Sequence, residues 1–171
     1  MIIRKLTLED IDLLQDIGKR TFADTFSSDD NKQDMEQYLK QGFSLEKLRK
    51  ELININSEFY FVEVENKAIG YLKVNRGDAQ TEIQDEKALE IERIYVLKAF
   101  YGKRIGQVLY EKALEIAKRN QVDYLWLGVW EENFRAIRFY EKNGFVEFDK
   151  HVFKLGHKEE IDIMMKLKIN E

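Results

Sequence analysis

There is no cysteine in this sequence. That excludes disulfides, thiolate metal sites and a cysteine nucleophile. Only two histidines are present, His151 and His157 in "HVFKLGHKEE". Their spacing fits no standard zinc pattern, so no metal site is expected and a catalytic histidine has few candidates. Proline is also absent, so turns must rest on Gly, Asn, Asp and Ser. No apolar run is long enough to span a bilayer. The opening "MIIRKLTLED" lacks the basic segment and apolar core of a secretory signal. A cytoplasmic location is the default expectation, with no membrane partner. A basic footprint is missing too: the net charge is −4, which argues against nucleic acid as a partner.

What is there suits one globular domain over residues 1–171, with 44% hydrophobic and 35% charged residues. "IIRKL" reads as a first strand. "TLEDIDLLQDIGKRTFADTF" reads as a helix opened by a capping box, Thr7 with Asp10. "DNKQDMEQYLKQGF" and "SLEKLRKELIN" read as two more helices, the latter with Ser44 as N-cap and Lys47 where a full box would want Glu. "EFYFVEV" and "KAIGYLKVN" form a hairpin across "ENK", and "NRGDAQTEIQDEK" is a polar loop.

"ALEIERIYVL" is a strand. Strict alternation places Glu90, Glu92, Ile94 and Val96 on one face and Leu89, Ile91, Arg93 and Tyr95 on the other. It runs into "AFYGKRIGQVL", where two glycines bracket a lysine and an arginine ahead of a helical stripe of Val108, Leu109, Ala113, Ile116 and Ala117. Taken alone, this fragment is either an ordinary turn or a cradle of backbone N–H groups for a phosphate. "DYLWLGVW" is a strand, and "ENFRAIRFYEKN" a helix stopped by Gly144. "FVEFDKHVFKL" and "IDIMMKLKI" close the chain as a hairpin. The order predicts an α/β fold with a mixed, mostly antiparallel central sheet of six to seven strands flanked by helices.

Two motifs then carry a resemblance. The turn between strand and helix, Tyr101, Gly102, Lys103, Arg104, Ile105, Gly106, lies in the register of a Gln/Arg-x-x-Gly-x-Gly/Ala pyrophosphate signature. The second helix spells Asn-x-x-Ala-x-x-Phe-Tyr-x-x-x-Gly-Phe with Asn133, Ala136, Phe139, Tyr140, Gly144 and Phe145. In both motifs the sequence resembles the GNAT family, the Gcn5-related N-acetyltransferases, and the resemblance covers nearly the whole chain. "TFADTF", "LEIERIYV" and "LGVWEENFRAIRFYEKNGF" resemble its PaiA-type branch, whose acceptors are spermidine and spermine.

The resemblance implies acetyl-CoA as cofactor and a small amine, a polyamine, as the partner. The strand pair "IERIYV" and "LWLGV" should splay near Gly128. Ile94, Tyr95 and Val96 would pair with the pantetheine arm. Tyr101, Gly102, Lys103, Arg104, Ile105, Gly106 and Gln107 would hold the pyrophosphate, and Asn133 and Ala136 the CoA arm. The pattern departs at Tyr101, and at Arg104, where the family has glycine. Arg104 must keep an ordinary backbone angle unless Gly102 has taken over the glycine's role. Tyr140 would protonate the departing thiolate. Glu92 is the expected proton acceptor for the amine, with Glu90 as its rival. Asp24, Phe26, Glu92 and Trp130 are expected in the acceptor site. The resemblance also implies a homodimer, a common assembly in the family. Two rivals remain: another acceptor, such as a protein N-terminus, lysine or aminoglycoside, and a CoA-sensing regulatory module without turnover.

Overall fold

The computed structural model describes residues 1–28 and 31–169. Asp30, the first residue of the expected second helix, lies outside them. The strands are β1 (Ile2–Lys5), β2 (Ser57–Val64), β3 (Lys67–Arg76), β4 (Ala88–Val96), β5 (Tyr124–Trp130), β6 (Val146–Leu155) and β7 (Lys158–Lys168). They form one seven-stranded sheet in the order β1-β2-β3-β4-β5-β7-β6. Every neighbouring pair is antiparallel except β4 with β5. A parallel pair needs a crossover, and helix α4 (Ile105–Arg119) supplies it.

The hairpin between β2 and β3 turns through Glu65 and Asn66, both at positive φ, the backbone a two-residue primed turn requires. Helices α1 (Ile11–Phe26), α2 (Lys32–Gly42) and α3 (Leu45–Ile53) cover one face of the sheet. Thr7 and Asp10 do form the capping box, which closes a single helical turn just ahead of α1. Ser44 caps α3 by accepting from the Lys47 N–H. Leu14, Ile17 and Leu48 bury their side chains against Phe59, Phe61 and Tyr71 on this face. Helices α4 and α5 (Phe134–Lys142) cover the opposite face. There Leu109, Ala113, Ile116 and Tyr140 pack on Leu72, Leu89, Ile91, Leu125 and Leu127.

β4 departs from the alternation expected of it. Arg93 lies opposite Lys73, but Ile91 lies opposite Val74, so Glu92 is an extra residue, a β-bulge. The bulge reverses which face the following residues occupy. Ile94 and Val96 join Leu89 and Ile91 under α4, while Tyr95 packs with Tyr71 toward α1. The expected sharing of one face by Glu92, Ile94 and Val96 is therefore corrected. A period-two reading cannot register an inserted residue.

Gly18 of α1 sits where the ring of Phe43 leans in. A Cβ there would lie 2.6 Å from one ring carbon and 2.7 Å from the next. Phe43 is only 3% exposed and has no room to retreat. Gly18→Ala should therefore destabilise the protein by about 1–3 kcal/mol, overriding the roughly 1 kcal/mol that alanine gains in helix propensity. A urea titration checks this. A raised midpoint would mean that the ring gives way freely.

Candidate active site

β4 and β5 pair only from Ala88–Tyr124 to Ile91–Leu127. Beyond that, β4 continues on β3 and β5 continues on β7. The strands part at Gly128, as the resemblance implies, and the flank of β4 that faces the gap has no strand beside it. A cleft of about 980 Å³ opens there, lined by Ile94, Tyr95 and Val96 on one wall and by Gly128, Val129 and Trp130 on the other.

At one end of the cleft lies the turn into α4. Tyr101, Gly102, Arg104, Ile105, Gly106 and Gln107 line it; Lys103 does not, its ammonium lying 5.2 Å from the Phe100 ring centre. Unlike α3 and α5, α4 starts without a side-chain cap. The first N–H groups of such a helix have no intrahelical acceptor and attract anions. A Cβ on Gly102 or on Gly106 would meet no protein atom within 4 Å, so the cleft side of this turn is open.

The expected ordinary angle at Arg104 is corrected: φ is +63° and ψ +21°, in the left-handed region. Gly102, at φ +78°, is left-handed as well. The turn into α4 demands a left-handed residue just before Ile105, and glycine at 102 does not relieve position 104 of it.

Sequence reasoning missed four further cations that line the cleft, Lys47 and Arg93 on one side and Arg135 and Lys142 by the α4 turn. The Arg135 guanidinium lies 3.8 Å from the Tyr101 ring centre and ties α5 to the turn. Its place inside the Asn133–Phe145 motif was the available signal. Asn133 accepts from the Ala136 N–H and so caps α5, while both residues also line the cleft. Tyr140 is 5% exposed and lines the cleft where the strands part. Burial, against an opposing pull from Arg135, raises its hydroxyl well above the usual tyrosine range. The hydroxyl stays protonated and can donate.

The other end of the cleft is aromatic. Phe26 lies 5.0 Å from Trp130 and 5.8 Å from Phe153, ring centre to ring centre, and Tyr38 closes the side. Asp24 is not there. It is exposed on α1, because the helical step that turns Phe22, Thr25 and Phe26 inward turns Asp24 out.

Glu92 does line the cleft, but its carboxylate is committed. It accepts from Lys73 Nζ at 2.7 Å and from Asn75 at 2.8 Å, and it pairs with Arg93 at 3.1 Å. Glu51 of α3 joins both cations, at 2.6 Å from Lys73 and 3.0 Å from Arg93. Burial opposes ionisation of Glu92, but Arg93 and Lys73 outweigh it and hold the acid at about 2. So weak a base is poorly suited to take a proton from an amine. Glu90 is no substitute: it is buried outside the cleft, bonded to Asn75 and Thr81. The second carboxylate of the cleft is Asp162 of β7, beside Gly128. Burial, reinforced by Glu82 and partly offset by His151, raises its acid to about 6.

The chain matches the acetyltransferase (GNAT) family over residues 15–145 and belongs to that family. It is 41% identical over 150 residues to an uncharacterised N-acetyltransferase of Lactobacillus delbrueckii subsp. lactis, covering 88% of this chain and 87% of that one. It is 27% identical over 147 residues to spermidine N(1)-acetyltransferase of Thermoplasma acidophilum, covering 84% and 86%. The crystal structure of the PaiA N-acetyltransferase of Thermoplasma acidophilum in complex with coenzyme A superposes with a TM-score of 0.77, at 24% identity over 98% of both chains. The ribosomal-protein-S18-alanine N-acetyltransferase of Escherichia coli superposes with a TM-score of 0.75, at 19% identity over 99% and 94%. Acceptors of very different size are thus served on this one fold.

A left-handed non-glycine residue costs about 1–2 kcal/mol, and a glycine loses about 0.5–1 kcal/mol more chain entropy on folding. Arg104→Gly should accordingly stabilise, raising the melting temperature by roughly 1–4 °C. A lower melting temperature would show that the arginine side chain contributes more than its backbone angle costs.

Glu92→Gln should destabilise by about 2–4 kcal/mol at pH 7, because Lys73 and Arg93 keep only Glu51 as counter-charge. The folded acid titrates at about 2 against an ordinary 4.5, so its stabilisation is full above pH 4.5 and disappears as pH falls toward 2. Denaturant titrations across that range should show parent and variant converge on the acid side. A constant difference would assign the loss to packing alone.

Proposed function

We propose that this chain transfers an acetyl group from acetyl-CoA directly to a primary amine, and that polyamines of the spermidine and spermine kind are its acceptors. One observation carries the reading: the unpaired flank of β4 lies between an uncapped helix start bearing cations and an aromatic chamber holding a carboxylate. The residues present suit coenzyme A. The N–H groups at the start of α4, with Arg104, Arg135 and Lys142 around them, match a polyphosphate. Alternate residues of β4 bond to β3, Tyr95 to Tyr71 among them, and the backbone groups of Ile94 and Val96 that point the other way match an amide-bearing arm that completes the ladder as a strand would. Acetyl-CoA supplies the activated acetyl thioester. With no cysteine in the chain, no cysteine-bound intermediate forms, and both reactants meet in the cleft. The protonated Tyr140 hydroxyl donates to the leaving sulfur. Backbone N–H groups of β4 stabilise the charge that develops on the carbonyl oxygen.

The polyamine reading is supported by the 27%-identical spermidine acetyltransferase and by the character of the chamber. Phe26, Trp130 and Phe153 offer ring faces to a cation on an apolar stem, and Asp162 offers the counter-charge. A thiol-release screen with acetyl-CoA should show spermidine and spermine acetylated faster than putrescine, aminoglycosides or lysine peptides. Release with another class and none above background with polyamines would remove the polyamine reading. Binding of acetyl-CoA without turnover of any amine would replace the enzyme by a sensor.

A further inference from the structure

Two carboxylates line the cleft among the described residues, Glu92 and Asp162. Glu92 is engaged by Lys73, Arg93 and Asn75. Asp162 is the reverse case. No side-chain or backbone group among the described residues donates a hydrogen bond to it or pairs with it at ion-pair distance. Its Oδ2 lies 3.4 Å from where a Cβ on Gly128 would stand, at the point where the strands part. Its cross-strand partners are Trp130 on β5 and His151 on β6. Gly128 matters here because without a side chain it leaves the approach to the carboxylate open, where a Cβ would stand in contact with it.

We propose that Asp162 is the catalytic base of this site, holding the acceptor ammonium in the Phe26–Trp130–Phe153 chamber and taking its proton. This rests on the acetyltransferase reading above and names the group which that reading leaves open. The amine enters as R–NH₃⁺ and leaves as an N-acetyl amide, so its nitrogen loses two protons. One passes through Asp162 to solvent. The C–N bond forms as the C–S bond breaks, and the sulfur gains one proton from Tyr140. Tyr140 regains its proton from the second N–H, so charge and atoms balance.

The choice between the two carboxylates is one of strength. Asp162, unengaged and raised to about 6 by burial, is the stronger base, while Glu92, held at about 2 by Arg93 and Lys73, keeps its charge within that cluster. The groups around Asp162 allow that behaviour. His151 on β6 is tied to Glu82 at 2.7 Å. Glu160, two residues back on β7, accepts from the Trp130 indole at 2.9 Å. Tyr95 on β4 and Tyr38 on α2 face it as neutral phenols, each with its pKa raised above the ordinary value by burial. Arg93 lines the same cleft but is neutralised by Glu51 and Glu92, and Lys47 of α3 is a further cation along the cleft.

The test compares the parent with Asp162→Asn and Asp162→Glu in CoA release with spermidine from pH 5 to 9, alongside acetyl-CoA affinity and melting temperature. The parent rate should fall on the acid side of about pH 6, where the carboxylate protonates. Asp162→Asn should lose about 100-fold or more in kcat and lose that acid limb, with acetyl-CoA affinity unchanged. Asp162→Glu should restore part of both. An Asn variant with the parent's kcat and acid limb overturns the proposal, as does a loss shared equally with acetyl-CoA affinity. Calorimetric binding of spermidine to the CoA-loaded protein separates this from the acetyltransferase reading. If no amine is turned over, the parent should still bind spermidine at least ten-fold more tightly than Asp162→Asn. Equal binding, or none by the parent, overturns the assignment of Asp162.

Discussion

Four residue pairs of parallel ladder join β4 to β5, and then the ladder stops. Each strand keeps its other neighbour, so the sheet does not end; it forks. Backbone groups that lose a partner inside a protein must find another. The flank of β4 beyond Ile91 is therefore a standing demand for something extended and hydrogen-bonding. The bulge at Glu92 falls at the same place and bends β4 away from β5, which makes the parting a built-in feature of the strand. α4 begins where β4 leaves the fork, and α5 begins where β5 leaves it. Both helix starts consequently face the same cleft, with the Asn133 side chain capping one and no side chain among the described residues capping the other.

The charges of the cleft divide by commitment. Glu51, Lys73, Glu92 and Arg93 satisfy one another across α3, β3 and β4 and hold the bulge in place. Such buried groups add little net stability over apolar side chains, because desolvation consumes most of the attraction. Their effect is on position: with Lys73 and Asn75 gripping it, the inserted residue has one orientation. Asp162 and the cations Arg104, Arg135 and Lys142 form the other group. They sit at opposite ends of the fork, anion in the aromatic chamber and cations at the helix start, so a ligand with a polyphosphate tail and a cationic reaction partner each meets its complement.

Much of this frame was legible along the chain. The capping box at Thr7, the Ser44 cap, the turn through Glu65 and Asn66 and the stop at Gly144 are local chemistry, written within a few residues. A mostly antiparallel sheet of six to seven strands followed from the alternation of strand and helix patterns, while the order within it came from the fold. The resemblance carried by the motif from Asn133 to Phe145 implied the role of Tyr140 and the fork at Gly128. Patterns of this kind survive translation into sequence because their causes span one turn of helix or one hairpin.

Three features could not be read that way. The bulge at Glu92 exists only relative to β3, and it alone decides that Ile94 and Val96 share a face with Ile91. The left-handed angle at Arg104 is imposed by the path from β4 into α4, against the preference of the residue itself. Asp162 reads in "IDIMMKLKI" as one polar residue between two isoleucines. Its value as a base depends on β5 placing Gly128 beside it and on Phe26 and Phe153, far apart in the chain, closing around it. The sequence by itself determined the elements and their order, because these rest on local periodicity and local capping, and its two motifs carried the resemblance to the family. Tertiary structure decided which carboxylate is free and which is bound, because a pKa depends on burial and on neighbours that only folding brings within a few ångströms.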